Sequence, residues 1–167
     1  MAILDYGLFQ VHQNGRVIGI CGYLVQTTMG ENVLIDTGFP PKYSSDAAAA
    51  TDEDDLGTFG QVLELTEQNL APAQLALLGL SASDITLMIQ SHTHIDHVGF
   101  MDAFEGVPIL MAKAERALPR PLYWSGKQPM EWPPVSGTAN GCMRPVHLPT
   151  VKITRSQTHP LTIGLTD

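Results

Sequence analysis

Ser91-His92-Thr93-His94-Ile95-Asp96-His97 sets three imidazoles and one carboxylate within six consecutive residues. Imidazole nitrogen and carboxylate oxygen are the donors that zinc and neighbouring divalent ions take. A histidine pair at i and i+2 off a strand end points two rings the same way. Asp96 and His97, opening the next helix, can then aim at a second point nearby. Two ions roughly 3.5–4 Å apart can clamp a reacting carbonyl or phosphoryl oxygen between them. A lone histidine would read as a core or surface residue. Four titratable groups crowded together without a ligand would be costly to desolvate.

Outward from the motif, the flanks agree with it. Ile85–Gln90 is an apolar run suited to a buried strand, preceded by a turn at Ser81-Ala82-Ser83-Asp84. A helix is expected from Asp96 to Phe104, a strand from Val107 to Met111 and a helix from Ala112 to Leu118. Upstream, residues 3–12 and 16–28 read as strands joined at Asn14-Gly15, a dipeptide that supplies the positive φ angles of a tight hairpin. Val33-Leu34-Ile35 is a short buried strand that stops at Asp36-Thr37-Gly38-Phe39-Pro40-Pro41. Residues 42–57 read as a solvated loop with an alanine run and an acidic cluster, Asp52-Glu53-Asp54-Asp55. Thr58 with Gln61 fits a capping box and predicts a helix with Phe59, Val62 and Leu63 on its apolar face. Pro72 ends that helix or starts a second, which Gly79 closes. Strands alternating with helices at this spacing indicate a layered α/β fold.

Composition sets the limits. The chain has 167 residues, 44% hydrophobic and 16% charged, enough for one domain with a core. A formal net charge of −8 argues against nucleic acid and anionic membranes, which need clustered Lys and Arg. No apolar run approaches the roughly 18 residues of a membrane span. Met1-Ala2-Ile3-Leu4-Asp5 lacks the basic start of a secretory signal, and two cysteines, Cys21 and Cys142, make no disulfide framework. These readings place the chain in the cytoplasm. Tyr6 and Tyr23 are expected in strand packing, Cys21 as a small buried residue, and Met88, Met101 and Met111 in the core.

His-x-His-x-Asp-His after a strand resembles the metallo-β-lactamase superfamily, and the strand ending in Leu34-Ile35-Asp36-Thr37-Gly38 resembles its second landmark. Gly22-Tyr23-Leu24-Val25, Ile35-Asp36-Thr37-Gly38-Phe39-Pro40 and Ser91–His97, with the long insertion between, look like the N-acyl homoserine lactonase branch. The resemblance covers roughly residues 3–118. It implies an αββα sandwich with two divalent metal ions, zinc first among them, at one edge. His92 and His94 would bind the first ion, Asp96 and His97 the second. A hydroxide activated there would open a lactone or related ester, Asp96 orienting it or shuttling a proton. Asp36 would support a ligand from beneath. The alternative for Asp36 is a plain turn carboxylate bonding nearby N–H groups. Other hydrolases of the superfamily, a thioesterase resembling glyoxalase II or a β-lactamase, are the neighbouring readings.

The pattern departs from the family after Trp132. Residues 1–132 hold 16 of the 17 acids, while residues 133–167 hold five prolines and the single acid Asp167. The family's later histidines and bridging aspartate have no match, since only His147 and His159 follow His97. The expectation is an N-terminal part of the fold, 1–132, followed by an unmatched Pro-rich tail, 133–167, as in a truncated or frame-shifted product. Such a chain could be a metal-binding fragment without turnover. A second copy, in a homodimer, could complete its site. Tyr123, Trp124 and Trp132 would cover a core edge or line an acyl pocket, and Cys142 with His147 is a weak metal pair.

Overall fold

The computed structural model describes residues 1–112 and 115. Its centre is a mixed six-stranded sheet in the order β4-β1-β2-β3-β5-β6. β1 (Ala2–Val11) and β2 (Val17–Gln26) form the antiparallel hairpin that Asn14-Gly15 predicts, with Gly15 at φ 68°. β3 (Asn32–Ile35) pairs antiparallel with β2, and β5 (Leu87–Gln90) then lies parallel to β3. β6 (Ile109–Met111) is parallel to β5. The architecture is of the α/β class.

Register sorts the side chains by face. Leu24, Leu34, Met88 and Ile109 stand opposite one another across four strands, and the first three are almost fully buried. They join Leu4, Tyr6, Leu75, Ile95 and Val98 in one core. Removing a Leu side chain from water is worth roughly 2 kcal/mol, so this row fixes the pairing of the central strands. One strand position away, Ile3, Tyr23, Ile35, Ile89 and Leu110 line the other face and remain half-buried or exposed.

Three expectations about residues 42–64 are corrected. The segment 42–57 is not a loop: it holds α1 (Lys42–Ser45), α2 (Ala47–Glu53) and a 3₁₀ turn, Leu56–Thr58. Asp46 caps α2 by accepting from the Ala49 N–H at 3.0 Å, and the alanine run supplies strong helix formers. The acidic cluster is not wholly solvated. Asp54 is fully buried, taking Lys42 Nζ at 2.7 Å and Tyr43 Oη at 2.9 Å. The helix expected from Thr58 is instead β4 (Gly60–Glu64), an edge strand. Val62 faces Phe9 and Gly60 faces Val11, so pairing with β1 overrides the local helical pattern.

Pro72 does open a helix, α3 (Ala71–Ala76). Gly79, at φ 73°, closes its last turn, with Leu80 N–H donating to Leu75 O and Gly79 N–H to Ala76 O. The helix expected over 96–104 is two pieces, α4 (Ile95–Val98) and a 3₁₀ turn, Met101–Phe104. Gly99 breaks them: a Cβ there would lie 2.2 Å from Pro40 Cδ, and its N–H donates to Gly38 O at 2.9 Å. Cys21 is half-buried rather than core. The helix expected over 112–118, except Ala112 and Glu115, and the residues Tyr123, Trp124, Trp132, Cys142, His147 and His159, lie outside the described residues.

Candidate metal centre

The ends of two parallel strands meet at the carboxyl edge of the sheet. β3 delivers Asp36-Thr37-Gly38, and β5 delivers Ser91 and the histidines. The first turn clasps the helix that follows the second: Thr37 N–H and Oγ1 donate to His97 O at 2.7 and 3.1 Å. Tyr6 supports this clasp from the core. Its ring lies against Gly22 and Gly38, where any Cβ would come within 2.5 and 2.9 Å of ring atoms, and its Oη donates to Asp36 O at 3.2 Å. Burial first, and then the charge of Asp36, raise the Tyr6 phenol well above its usual range, so it acts only as a neutral donor.

Asp36 sits in the left-handed region at φ 61°, a conformation that costs a non-glycine residue of order 1–3 kcal/mol. Besides the Tyr6 bond, four more hold the turn there. Its N–H donates to Ile89 O at 3.0 Å, and its Oδ1 accepts from Ser91 N–H at 2.8 Å. Oδ2 accepts from Ser91 Oγ at 2.7 Å and from His97 Nδ1 at 2.8 Å. Asp36 thus reaches partners 55 and 61 residues away, beyond the local N–H groups of a plain turn carboxylate.

These bonds fix proton positions. A carboxylate only accepts, so His97 carries a proton on Nδ1 towards Asp36 and another on Nε2, 3.3 Å from Asp96 Oδ2, which a bound ion would displace. Ser91 Oγ gives its one proton to Asp36, so His92 Nδ1, 3.0 Å from that oxygen, is the donor to it. His92 therefore carries its proton on Nδ1 and keeps a lone pair on Nε2, the form a metal takes. Burial, then the neighbouring His97 and His94, lower the His92 basicity. Burial alone would lower His97 too, but its bonds to Asp36 and Asp96 outweigh it and raise it to about 9. Burial raises Asp96, yet the bond from His97 and the charges of His97 and His94 bring its carboxyl below the usual range.

The structure brings all of the sequence-predicted site residues together. The rings of His92 and His94 have centroids 4.6 Å apart in an edge-on arrangement, and those of His92 and His97 are 4.0 Å apart. Among the described residues, no three His, Cys, Asp or Glu side chains close on one point as a metal cage. The His97–Asp96 contact occupies the edges that would face an ion. The donor set still fits a divalent metal: clustered imidazoles, two with Nδ1–H settled by Ser91 and Asp36, and an ionised Asp96. His92, His94, Asp96 and His97 are the residues that could hold it. Sequence reading missed Ser91, whose only signal was its place beside His92, and the supporting Tyr6.

A cavity of about 700 Å³ opens beside the cluster. His94 and Asp96 stand at one side, with Phe9, Ile18, Phe39, Leu56 and Phe59 among its apolar lining.

A family model described as the metallo-beta-lactamase superfamily matches residues 21–153. The chain belongs to the metallo-beta-lactamase superfamily. Its metallo-beta-lactamase relatives include an N-acyl homoserine lactonase of Bacillus cereus, 35% identical over 96 residues, and one of a Bacillus species, 37% identical over 98. Each match covers 56% of this chain and 36% of the relative, so the aligned part spans about a third of those proteins. Among solved structures, a Bacillus thuringiensis AiiA variant with N-decanoyl-L-homoserine at its active site superposes with a TM-score of 0.56 at 26% identity, over 68% of this chain and 48% of that one. An N-acyl homoserine lactone hydrolase with N-hexanoyl-L-homoserine at its catalytic metal centre gives 0.52 at 27% identity, with the same coverage. Among the described residues, no helix is long and apolar enough to cross a membrane.

Proposed function

We propose that this chain is a metal-dependent hydrolase that opens the lactone ring of N-acyl homoserine lactones. The observation that carries the reading is the His92–His94–Asp96–His97 cluster at the side of an apolar cavity. His92 and His94 would hold one divalent ion, and Asp96 with His97 a second, zinc being the first candidate. Ions bound there would polarise the lactone carbonyl and activate water. Asp96, kept ionised by its neighbours, would take a proton from the attacking water and pass it to the alkoxide released when the ring C–O bond breaks. Asp36 and Ser91 would hold His97 and His92 in their coordinating tautomers. The apolar lining would receive an acyl tail. The same reading takes the fold as an αββα sandwich, whose second layer would cover the row Ile3, Tyr23, Ile35, Ile89 and Leu110. It divides the chain into a fold domain, 1–132, and a tail, 133–167, and places it in the cytoplasm. A small ester or lactone is its partner, since the net charge of −8 disfavours nucleic acid and anionic membranes.

The test pairs bound metal per chain, by elemental analysis after dialysis, with ring opening of lactones of increasing acyl length. Metal-dependent opening that improves with chain length is expected, with chelation abolishing it. A second reading, a metal-binding chain without turnover, follows from the ligand set: His92, His94, Asp96 and His97 would give each of two ions about two protein ligands, where catalytic zinc takes three. A metal-loaded chain that leaves every lactone intact would select that reading.

A further inference from the structure

Thr93 stands between His92 and His94, and only 3% of its surface is exposed. A buried hydroxyl and a buried N–H both need acceptors. Here one atom serves both. Glu115 Oε2 accepts from Thr93 N–H at 3.0 Å and from Thr93 Oγ1 at 2.9 Å. Glu115 lies 22 residues downstream, beyond β6. β6 itself pairs with β5 up to Gln90↔Met111, so the strand carries the chain back alongside the start of the histidine segment. Beyond that strand, Glu115 brings a carboxylate to the backbone between the two imidazoles.

We propose that Glu115 is a positioning residue for the metal centre: by fastening both polar groups of Thr93, it sets the spacing of His92 and His94. Its value to function rests on the metal-site reading above, but its grip on the loop does not. The rings of His94 and His97, 4.6 and 4.0 Å from that of His92, stay in register only if the backbone bearing them is fixed. His92 and His97 are tied by Ser91 and Asp36. Thr93, next to His94 in the chain, adds a backbone tie through Glu115.

The test uses the full chain and two measurements: hydrogen exchange of the Thr93 amide without metal, and Zn²⁺ affinity by competition with a chromophoric chelator. Glu115→Ala should speed Thr93 exchange at least about tenfold, leave the β1–β2 amides protected, and weaken Zn²⁺ about 10- to 100-fold. Glu115→Gln, whose amide oxygen can accept both bonds, should restore most of each. Thr93→Val should weaken Zn²⁺ by a smaller factor, and Thr93→Ser should not. Unchanged Thr93 exchange in Glu115→Ala overturns the inference. So does a loosened loop with undiminished Zn²⁺ affinity, or a Glu115→Gln loss equal to that of Glu115→Ala, which would make charge the cause. If Glu115→Ala loses its hairpin protection, the Thr93→Val and Thr93→Ser pair decides, and equal affinity there overturns it. A parent chain that binds no Zn²⁺ defeats the proposed function instead, and Thr93 exchange then still reports whether Glu115 holds the loop.

Discussion

Asp36 and Asp54 are both buried carboxylates, and each gathers donors from elsewhere in the sequence, yet they hold different regions of the site. Asp36 ties β3 to β5 and α4, fixing the polar floor on which the histidines stand. Asp54 ties α2 back to α1 through Lys42 and Tyr43. Tyr43 in turn packs on Phe39, at 4.9 Å between centroids, and Phe39 and Leu56 line the cavity. The floor is built of directional bonds at strand ends. The wall is an apolar surface hung on one buried carboxylate. Directional bonds suit the placing of donors to within fractions of an ångström, and apolar packing suits a surface that must receive a flexible chain.

Breaking the wall should give the largest effect on stability. Asp54→Ala leaves Tyr43 Oη without its acceptor and Lys42 Nζ with Glu53 alone, 3.3 Å away. A loss of about 2 kcal/mol in denaturant unfolding is expected, chiefly from the buried Tyr43 hydroxyl, because Lys42 is partly exposed and keeps Glu53. Zn²⁺ affinity under folding conditions should hold, and a fall as large as that from a floor variant would erase the distinction. Breaking the floor should do the reverse. In Asp36→Ala, Ser91 and His97 lose their common acceptor. Zn²⁺ should bind about 10- to 100-fold more weakly, measured by chelator competition, with the cavity unaltered. Tyr6→Phe sharpens the same side: losing one bond to Asp36 O should cost about 1 kcal/mol in unfolding experiments. Phe59→Ala is the mildest. Phe59 is 53% exposed, so unfolding should shift by no more than about 0.5 kcal/mol, while KM for a long-chain lactone rises and kcat holds. A change in kcat alone would move Phe59 out of the wall.

The floor was far more legible in the sequence than the wall. β1, β2, β3 and β5 announce themselves by apolar runs and by Asn14-Gly15, and the metal motif is compact enough to read directly. The wall reads from local pattern alone as a loop and a helix. Asp46 before the alanine run was a capping signal for α2, outweighed by the acidic cluster beside it. Phe59, Val62 and Leu63 fit a helical stripe, and only the long-range pairing with Phe9 and Gln10 makes that stretch a strand. Ser91 and Glu115 escaped for the same reason. Their roles lie in partners 55 and 22 residues away, and one sequence carries no record of which carboxylate meets which donor.

The bonds from Asp36 to Ser91 and His97 also order events in time. The β1–β2 hairpin needs only a short turn to close, whereas the floor must close loops of 55 to 61 residues, and such contacts form late in folding. His92, His94, Asp96 and His97, by contrast, lie within one short segment. A divalent ion present while the chain folds would meet that segment as a small local chelate before Asp36 reaches it. The ion would bias the floor towards closure, so refolding with Zn²⁺ should be faster than refolding followed by Zn²⁺.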